Sequence, residues 1–389
     1  MRDSEATCIE HLRERARRSV PRMFYDYVDA GSWSEATYRA NARDLAALCF
    51  RQRVAVNIAG RHQGSTMAGR GVTMPVALAP VGFAGMVHGD GEILAARAAE
   101  SFGVPFTLST VSICSIEDVA AHTSVPFWFQ LYIMKDRAFV ESLVGRAKRA
   151  GCSALVLTLD LPMQGLRHKD LRNGLSAPPR LGLRSMIAMA RRPRWCAAML
   201  ATRRRTFGNI VGHASGVEGT LSFADWVSKQ FDPSVSWDDV RWLRGLWGGK
   251  LILKGIMDVE DARKAVEVGA DVVVVSNHGG RQLDGAPSSI SALPSIVEAV
   301  GDKLEIWLDG GITSGQDALK ALALGARGTM IGRAFLYGLG AHGQAGVRRS
   351  LEIIQREMDL TMALCGMSRI DEIDRSMLTT RSLAALGVR

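Results

Sequence analysis

The chain of 389 residues has no C-x-x-C pair, no Cys/His cluster and no long apolar run. Its six cysteines (Cys8, Cys49, Cys114, Cys152, Cys196 and Cys365) are scattered. That spacing argues against a structural zinc site and for a reducing compartment. The first residues are charged and lack the apolar core of a secretory signal. No run reaches the length of a transmembrane helix, so the expectation is a chain that does not span a bilayer. No G-x-G-x-x-G follows the first strand-like run, which disfavours an open dinucleotide-binding sheet. Acids are nearly missing from one segment. Of 48 Lys/Arg and 39 Asp/Glu in the chain, eleven bases but only one acid, Asp170, lie between Leu166 and Phe207. The remaining 37 bases and 38 acids almost cancel, so the basicity belongs to that segment and not to the body of the protein.

What is present is apolar and periodic. Hydrophobic residues make up 47% of the chain, enough for a large core. Eight short β-rich runs recur: Pro75–Ala79, Pro105–Ser109, Pro126–Leu131, Ala154–Leu159, Lys250–Lys254, Asp271–Ser276, Glu305–Asp309 and Arg327–Ile331. Helix-period segments separate most of them: Gly89–Phe102, Asp136–Ala150, Asp258–Val268, Ser288–Val300 and Ser314–Leu324. The last four open on an acid or Ser suited to capping. This alternation predicts a single α/β domain over 1–389 built as a (β/α)8 TIM barrel. An open doubly wound sheet is the alternative. Residues 1–74 form an N-terminal extension, helical at first, and 166–237 form a long insertion after the fourth strand.

In such a barrel, chemistry gathers at the carboxyl ends of strands. The sixth run, Asp271–Val275, is followed by Ser276-Asn277-His278-Gly279-Gly280-Arg281-Gln282-Leu283-Asp284. It presents an imidazole able to take a proton and a guanidinium fork suited to a carboxylate. Together they suggest chemistry at the carbon next to a carboxylate. The other ends offer Pro80-Val81-Gly82, Ser109-Thr110, Gln130-Leu131-Tyr132, Thr158-Leu159-Asp160, Lys254-Gly255, Asp309-Gly310-Gly311 and Gly332-Arg333. The last two read together as a phosphate site after strands seven and eight, although a Gly pair also serves plain turns. Lys254 either pairs with a nearby Asp or stabilises charge on a cofactor. Asp160 either orients His278 or is a solvated loop acid.

These stretches, with Tyr25-Asp26-Tyr27, Ala79-Pro80, Leu108-Ser109-Thr110, Phe129–Tyr132, Leu157–Asp160, Leu253-Lys254-Gly255, Leu308–Gly311 and Ile331-Gly332-Arg333, run in the order found in one family. The chain resembles the FMN-dependent α-hydroxy acid dehydrogenases and oxidases, which include lactate and mandelate dehydrogenases, over almost its whole length. The resemblance implies oxidation of an L-2-hydroxy acid to the 2-oxo acid, with lactate and mandelate the leading candidates. It makes His278 the base, Asp160 its orienting carboxylate, and Arg281 and Arg167 the substrate clamp, with Tyr27 and Tyr132 also on the substrate. Either tyrosine could instead be core packing. FMN is expected on Pro80, Val81, Gly82, Ser109, Gln130, Thr158, Lys254 and Ser276. Its phosphate is expected on Asp309, Gly310, Gly311, Gly332 and Arg333. No metal is implied, and a homotetramer is.

Three positions depart from the family or subdivide it. The family commonly has an Arg two places after the Gly pair, where this chain has Thr313; a Thr hydroxyl can still donate a hydrogen bond, but weaker FMN retention is expected. Val111 stands where the plant oxidases have a Trp, which reshapes the substrate pocket. Gly82 replaces the Ala typical of oxidases and leans toward a dehydrogenase. Within the insertion, Met186, Ile187, Met189, Trp195, Met199 and Leu200 mix with Arg191, Arg192 and Arg194. That mixture suits an anionic membrane surface, contacted through 166–207, and electrons passed to quinone or a respiratory chain. The expected location is the inner face of the cytoplasmic membrane. A soluble basic lid, and an oxidase that forms hydrogen peroxide, are the alternatives. No nucleic-acid recognition fold accompanies the basic residues.

Overall fold

The computed structural model describes residues 6–174, 183–213, 230–385 and 387. All eight expected strands form. After a two-stranded hairpin, β1 (Ser65–Met67) and β2 (Arg70–Val72), the barrel runs β3 (Val76–Leu78), β4 (Thr107–Leu108), β5 (Trp128–Leu131), β6 (Ala154–Thr158), β7 (Lys250–Ile256), β8 (Val272–Val275), β9 (Glu305–Leu308) and β10 (Gly328–Ile331). All pairings in the eight-stranded sheet are parallel, in the order β3-β10-β9-β8-β7-β6-β5-β4. A parallel bridge between Leu78 and Phe106, with Leu78 N–H donating to Pro105 O at 2.9 Å, joins β4 to β3 and closes the ring.

Strand period explains both the plug of the barrel and its working end. Trp128, Ala154, Val156, Ile252, Val272, Val274, Trp307 and Met330 pack into one inner cluster, with the Trp128 and Trp307 rings stacked 5.1 Å apart. Met67 from the hairpin joins that cluster and stops its lower end, a feature the sequence did not announce. Two residues further along each strand the same inward face reaches the mouth. Trp128 is thus followed by Gln130, Val156 by Thr158, Ile252 by Lys254, Val274 by Ser276 and Trp307 by Asp309.

The expected helices form where their caps stand. Asp136, Asp258, Ser288 and Ser314 each accept a backbone N–H from the first turn of the helix that follows. The fifth strand runs past Lys254 to Ile256, beyond its expected end. Gly255, at φ +100°, breaks the register there, and a Cβ on it would sit 2.7 Å from Asp160. The extension supplies three helices, Ile9–Ser19, Arg22–Asp29 and Ala36–Ala47. In the insertion, helices Leu183–Ala190 and Pro193–Ala201 are described, and Arg180 lies outside the described residues. Among the described residues no helix is long and apolar enough to cross a membrane.

Candidate active site

A cavity of about 600 Å³ lies over the strand ends, within the roughly 300–1,000 Å³ common for cofactor and ligand sites. Its lining includes Tyr27, Pro80, Val81, Gly82, Val111, Tyr132, Lys254, His278, Arg281, Asp309, Gly310, Gly311, Gly332 and Arg333. Ser109 and Ser276 are bonded to that lining, through Val111 N–H and through Lys254 and His278 N–H, whereas Gln130 is bonded to Ser109 and Thr110, and Arg167 packs near the Tyr27 ring. Thr158 lines a second, smaller cavity that it shares with Tyr132.

His278 Nδ1 lies 2.9 Å from Asp160 Oδ1. An ionised carboxylate only accepts, so Nδ1 carries the proton and Nε2 is the free basic nitrogen. Burial alone would raise the Asp160 carboxyl, but His278 and Lys254 outweigh it and hold it below the usual range. The imidazole sits in a strained turn. His278, Gly279 and Gly280 have φ of +57°, +66° and +73°, a left-handed run that a β-branched residue at 278 would resist. A buried reciprocal amide pair holds this turn: Asn41 Nδ2 donates to Asn277 Oδ1 at 2.9 Å and Asn277 Nδ2 to Asn41 Oδ1 at 2.8 Å. Asn41 comes from the N-terminal extension, and its importance was not visible in its helical spacing.

Lys254 joins three neighbouring strand ends. Its Nζ lies 2.8 Å from Asp309 Oδ2 and donates to Ser276 Oγ at 2.8 Å. The ion-pair reading of Lys254 is therefore correct, and it leaves the ammonium at the floor of the mouth. Burial would lower this ammonium, yet Asp309 and Asp160 raise it above its ordinary value.

Arg281 is a partly buried cation held by neutral groups. Its Nη1 donates to Tyr27 O at 2.6 Å and Ala30 O at 3.0 Å, and its guanidinium lies 4.7 Å from the Tyr27 ring centre. Burial, followed by repulsion from Arg167 and Arg333, lowers its pKa to about 10. It remains charged at neutral pH and favours an arriving anion. Arg167 lies on the other contact of Tyr27, 5.6 Å from the ring, but its Nε is bound to Asp170 Oδ2 at 2.5 Å. Tyr27 and Tyr132 are both at the mouth. Burial pushes the Tyr132 phenol upward, so it stays a protonated donor.

The strand-end residues fit a flavin. Gln130 Nε2 and Thr158 Oγ1 are buried with no partner among the described residues, and so is Asp309 Oδ1. Such orphaned groups on one barrel mouth mark a polar ligand. Gly310 and Gly311, at φ +92° and +94°, line the cavity with a backbone conformation that a side chain would resist. Arg333 spends Nε on Val28 O and Nη2 on Ala30 O, while Nη1 approaches Gly279. Thr313 differs from expectation. It lines the cavity, but its N–H and hydroxyl both donate to Asp317 Oδ2, so the hydroxyl proton is already engaged within the protein.

The insertion is docked more firmly than its composition suggested. Trp195 stacks on Phe24 at 5.6 Å and donates to Met86 O, so it faces the protein and not a leaflet. Met186, Ile187 and Leu200 are exposed.

The description FMN-dependent dehydrogenase matches residues 16–380. The chain is 47% identical over 368 residues to an L-lactate dehydrogenase of Caulobacter sp. (strain K31), covering 94% of this chain and 97% of that one. An L-lactate dehydrogenase of Pseudomonas syringae pv. syringae is 45% identical over 94% and 96%. The crystal structure of the monotopic membrane protein (S)-mandelate dehydrogenase superposes with a TM-score of 0.91 at 34% identity, over 96% of this chain and 99% of that one. A mandelate oxidase structure gives 0.81 at 36%, over 96% and 98%. With eight strand ends converging on a flavin-sized mouth and this match along almost its full length, the chain belongs to the family of FMN-dependent dehydrogenases.

Proposed function

We propose that the protein oxidises an L-2-hydroxy acid of the lactate or mandelate class to the 2-oxo acid. The observation that carries this reading is the pairing of a carboxylate-oriented imidazole with a partly buried guanidinium, Arg281, that is bonded to carbonyls and repelled by Arg167 and Arg333. Arg281 holds the substrate carboxylate, with Arg167 beside it. His278 Nε2 takes the substrate proton, and Asp160 stabilises the imidazolium that results. Tyr27 and Tyr132, which line the same cavity, contact the substrate as well. Pro80, Val81, Gly82, Ser109, Gln130, Thr158, Lys254 and Ser276 hold FMN, and Asp309–Gly311 with Gly332 and Arg333 hold its phosphate. FMN supplies the two-electron acceptor when bound. Lys254 would hold the cofactor with a fixed cation that favours its negatively charged form.

The decisive experiment is anaerobic bleaching of the flavin band with L-lactate, L-mandelate and glycolate in turn. Rapid bleaching by one acid, abolished in His278→Ala, is the expected result. A bound flavin that none of them reduces defeats the substrate assignment.

The same reading places the protein at the inner face of the cytoplasmic membrane, as a tetramer, passing electrons to quinone or a respiratory chain. Exposed Met186, Ile187 and Leu200 among basic residues support it, as does the likeness to a monotopic membrane protein. Flotation with anionic liposomes tests the membrane step, and absence of binding at low salt overturns it. Light scattering tests the tetramer. The likeness to mandelate oxidase supports a second reading with oxygen as acceptor. Peroxide yield with and without a quinone analogue separates the two.

A further inference from the structure

We infer that Asn209, in the return of the insertion, is a positioning residue that sets the hydrogen-bond donor presented to FMN. Asn209 is fully buried. Its Nδ2 faces three acceptors of the loop after β4: Ser109 O at 3.2 Å, Thr110 O at 3.4 Å and Ser112 Oγ at 2.9 Å. Its Oδ1 accepts from Ile116 N at 2.9 Å, and its own carbonyl accepts from Arg146 at 2.9 Å. The neighbours on each side tighten the same contact. Gly208 N–H donates to Ile113 O, and a Cβ on Gly208 would lie 2.7 Å from Ser115 N. Phe207 packs edge-on against Phe83, whose ring packs on Tyr27.

The loop that Asn209 grips decides the orientation of one amide. Ser109 Oγ donates to Gln130 Oε1 at 3.1 Å, and Thr110 N–H donates to the same atom at 3.2 Å. A backbone N–H can only donate, so this atom is the oxygen of the amide. Nε2 is therefore left as a buried donor without a partner among the described residues. Val111 N–H donates to Ser109 Oγ at 3.2 Å, which ties the pocket wall into the same chain. Asn209 thus holds the carbonyls of Ser109 and Thr110, these two residues hold Gln130 Oε1, and Gln130 Nε2 is left as the donor that would meet FMN. The segment that carries the exposed apolar side chains returns into the barrel through this residue. The inference rests on the proposed placement of FMN against Gln130.

The test compares Asn209→Ala, Gln130→Leu and Leu243→Ala, the last a core truncation in the helix Trp237–Trp247, well separated in sequence from the loop. FMN release from the diluted holoprotein, the flavin absorption spectrum, the midpoint potential and the thermal midpoint are measured for each. Asn209→Ala is expected to weaken FMN binding about tenfold and to lower the flavin potential. Leu243→Ala should lose comparable thermal stability with the flavin readouts unmoved. Asn209→Ala that loses stability while keeping FMN affinity, spectrum and potential overturns the inference. If Gln130→Leu also leaves them unmoved, the placement of FMN falls with it. A normal effect of Gln130→Leu beside a silent Asn209→Ala defeats the inference alone. Should Asn209→Ala fail to accumulate, Ser112→Ala removes one acceptor more gently. It should weaken FMN binding about threefold, and an unchanged affinity there counts against the inference.

Discussion

Replacing Arg281 by Met should separate catalysis from stability. The guanidinium sits on Tyr27 O and Ala30 O, and repulsion by Arg167 and Arg333 adds to the cost of its burial. Met removes two hydrogen bonds, worth about 1 kcal/mol each. It also removes a partly buried cation that is a liability in the free protein, and the two effects offset. The sign follows from the pKa. A cation lowered to about 10 inside the fold opposes folding at neutral pH, and a docking carboxylate relieves that penalty. The substrate complex loses a charge-assisted two-point contact, about 3 kcal/mol or more. That is at least about a hundredfold in kcat/KM. Arg281→Lys keeps the charge but not the fork, and should fall between parent and Met. The assay is stopped-flow flavin bleaching beside thermal unfolding, each with and without a 2-oxo acid. The parent should gain stability from the 2-oxo acid, and the Met variant should not. A Met variant with kcat/KM within threefold of the parent, or one stabilised equally by the anion, would refute the reasoning.

Four further outcomes can be measured. Asp160→Asn keeps the shape but loses the carboxylate that fixes the His278 tautomer, so kcat should drop about 10²–10⁴-fold with FMN still bound. In Gly82→Ala the new methyl would lie 2.7 Å from Val111 Cγ2 and 3.5 Å from the Tyr27 hydroxyl; the ratio of kcat/KM for mandelate over lactate should fall about tenfold. Thr313→Arg keeps the backbone bond to Asp317 and adds a cation at the phosphate end; the FMN dissociation constant should fall about tenfold, and an unchanged or larger one defeats the idea. Glu117 is held at about 2, first by its hydrogen bond to Arg146, against an ordinary value of 4.5. A lowered carboxyl contributes stability that is present above pH 4.5 and lost as pH falls through about 2. Its side chain is half exposed, so the worth is about 1 kcal/mol or less. The gap in unfolding midpoint between parent and Glu117→Gln should therefore close between those pH values.

The strands were legible because each is a short apolar run bounded by Gly, Pro or a polar end, and the mouth residues because strand period carries the inward face from Trp128 to Gln130 and from Trp307 to Asp309. The helices were legible from their caps. What stayed hidden was contact between segments far apart in sequence. Asn41 lies mid-helix and Asn277 beside a catalytic-looking His, and neither spacing shows that the two amides meet. Glu92, an acid inside an Ala-rich helix, is likewise buried to accept the N–H groups of Gly85 and Ile113. The hairpin Ser65–Val72 is too short for periodicity to register. Composition also erred in a definite direction. It counted Trp195 with the apolar residues available to a leaflet, whereas the indole stacks on Phe24 and donates to Met86 O. A tryptophan among arginines looks the same in sequence whether it faces lipid or a neighbouring helix, because composition fixes what a side chain can bury and not against what.

The Trp195 contact also bears on how the insertion meets the substrate pocket. Phe24 and Tyr27 lie three residues apart on the helix Arg22–Asp29, so one end of that helix is held by the insertion and the next turn supplies the ring that Arg281 and Arg167 flank. On the other side Phe207 reaches Tyr27 through Phe83, which itself has φ +64°. The insertion therefore touches the substrate pocket from two directions through packed aromatic rings. Ring contacts of this kind resist compression, since interiors are close-packed and a shift at one ring must displace the next. A deletion of the whole insertion to test membrane binding would also remove both supports of Tyr27. Changing Met186, Ile187 and Leu200 to Ser keeps Trp195 and Phe207 in place, so liposome binding should fall while flavin bleaching by substrate keeps its rate.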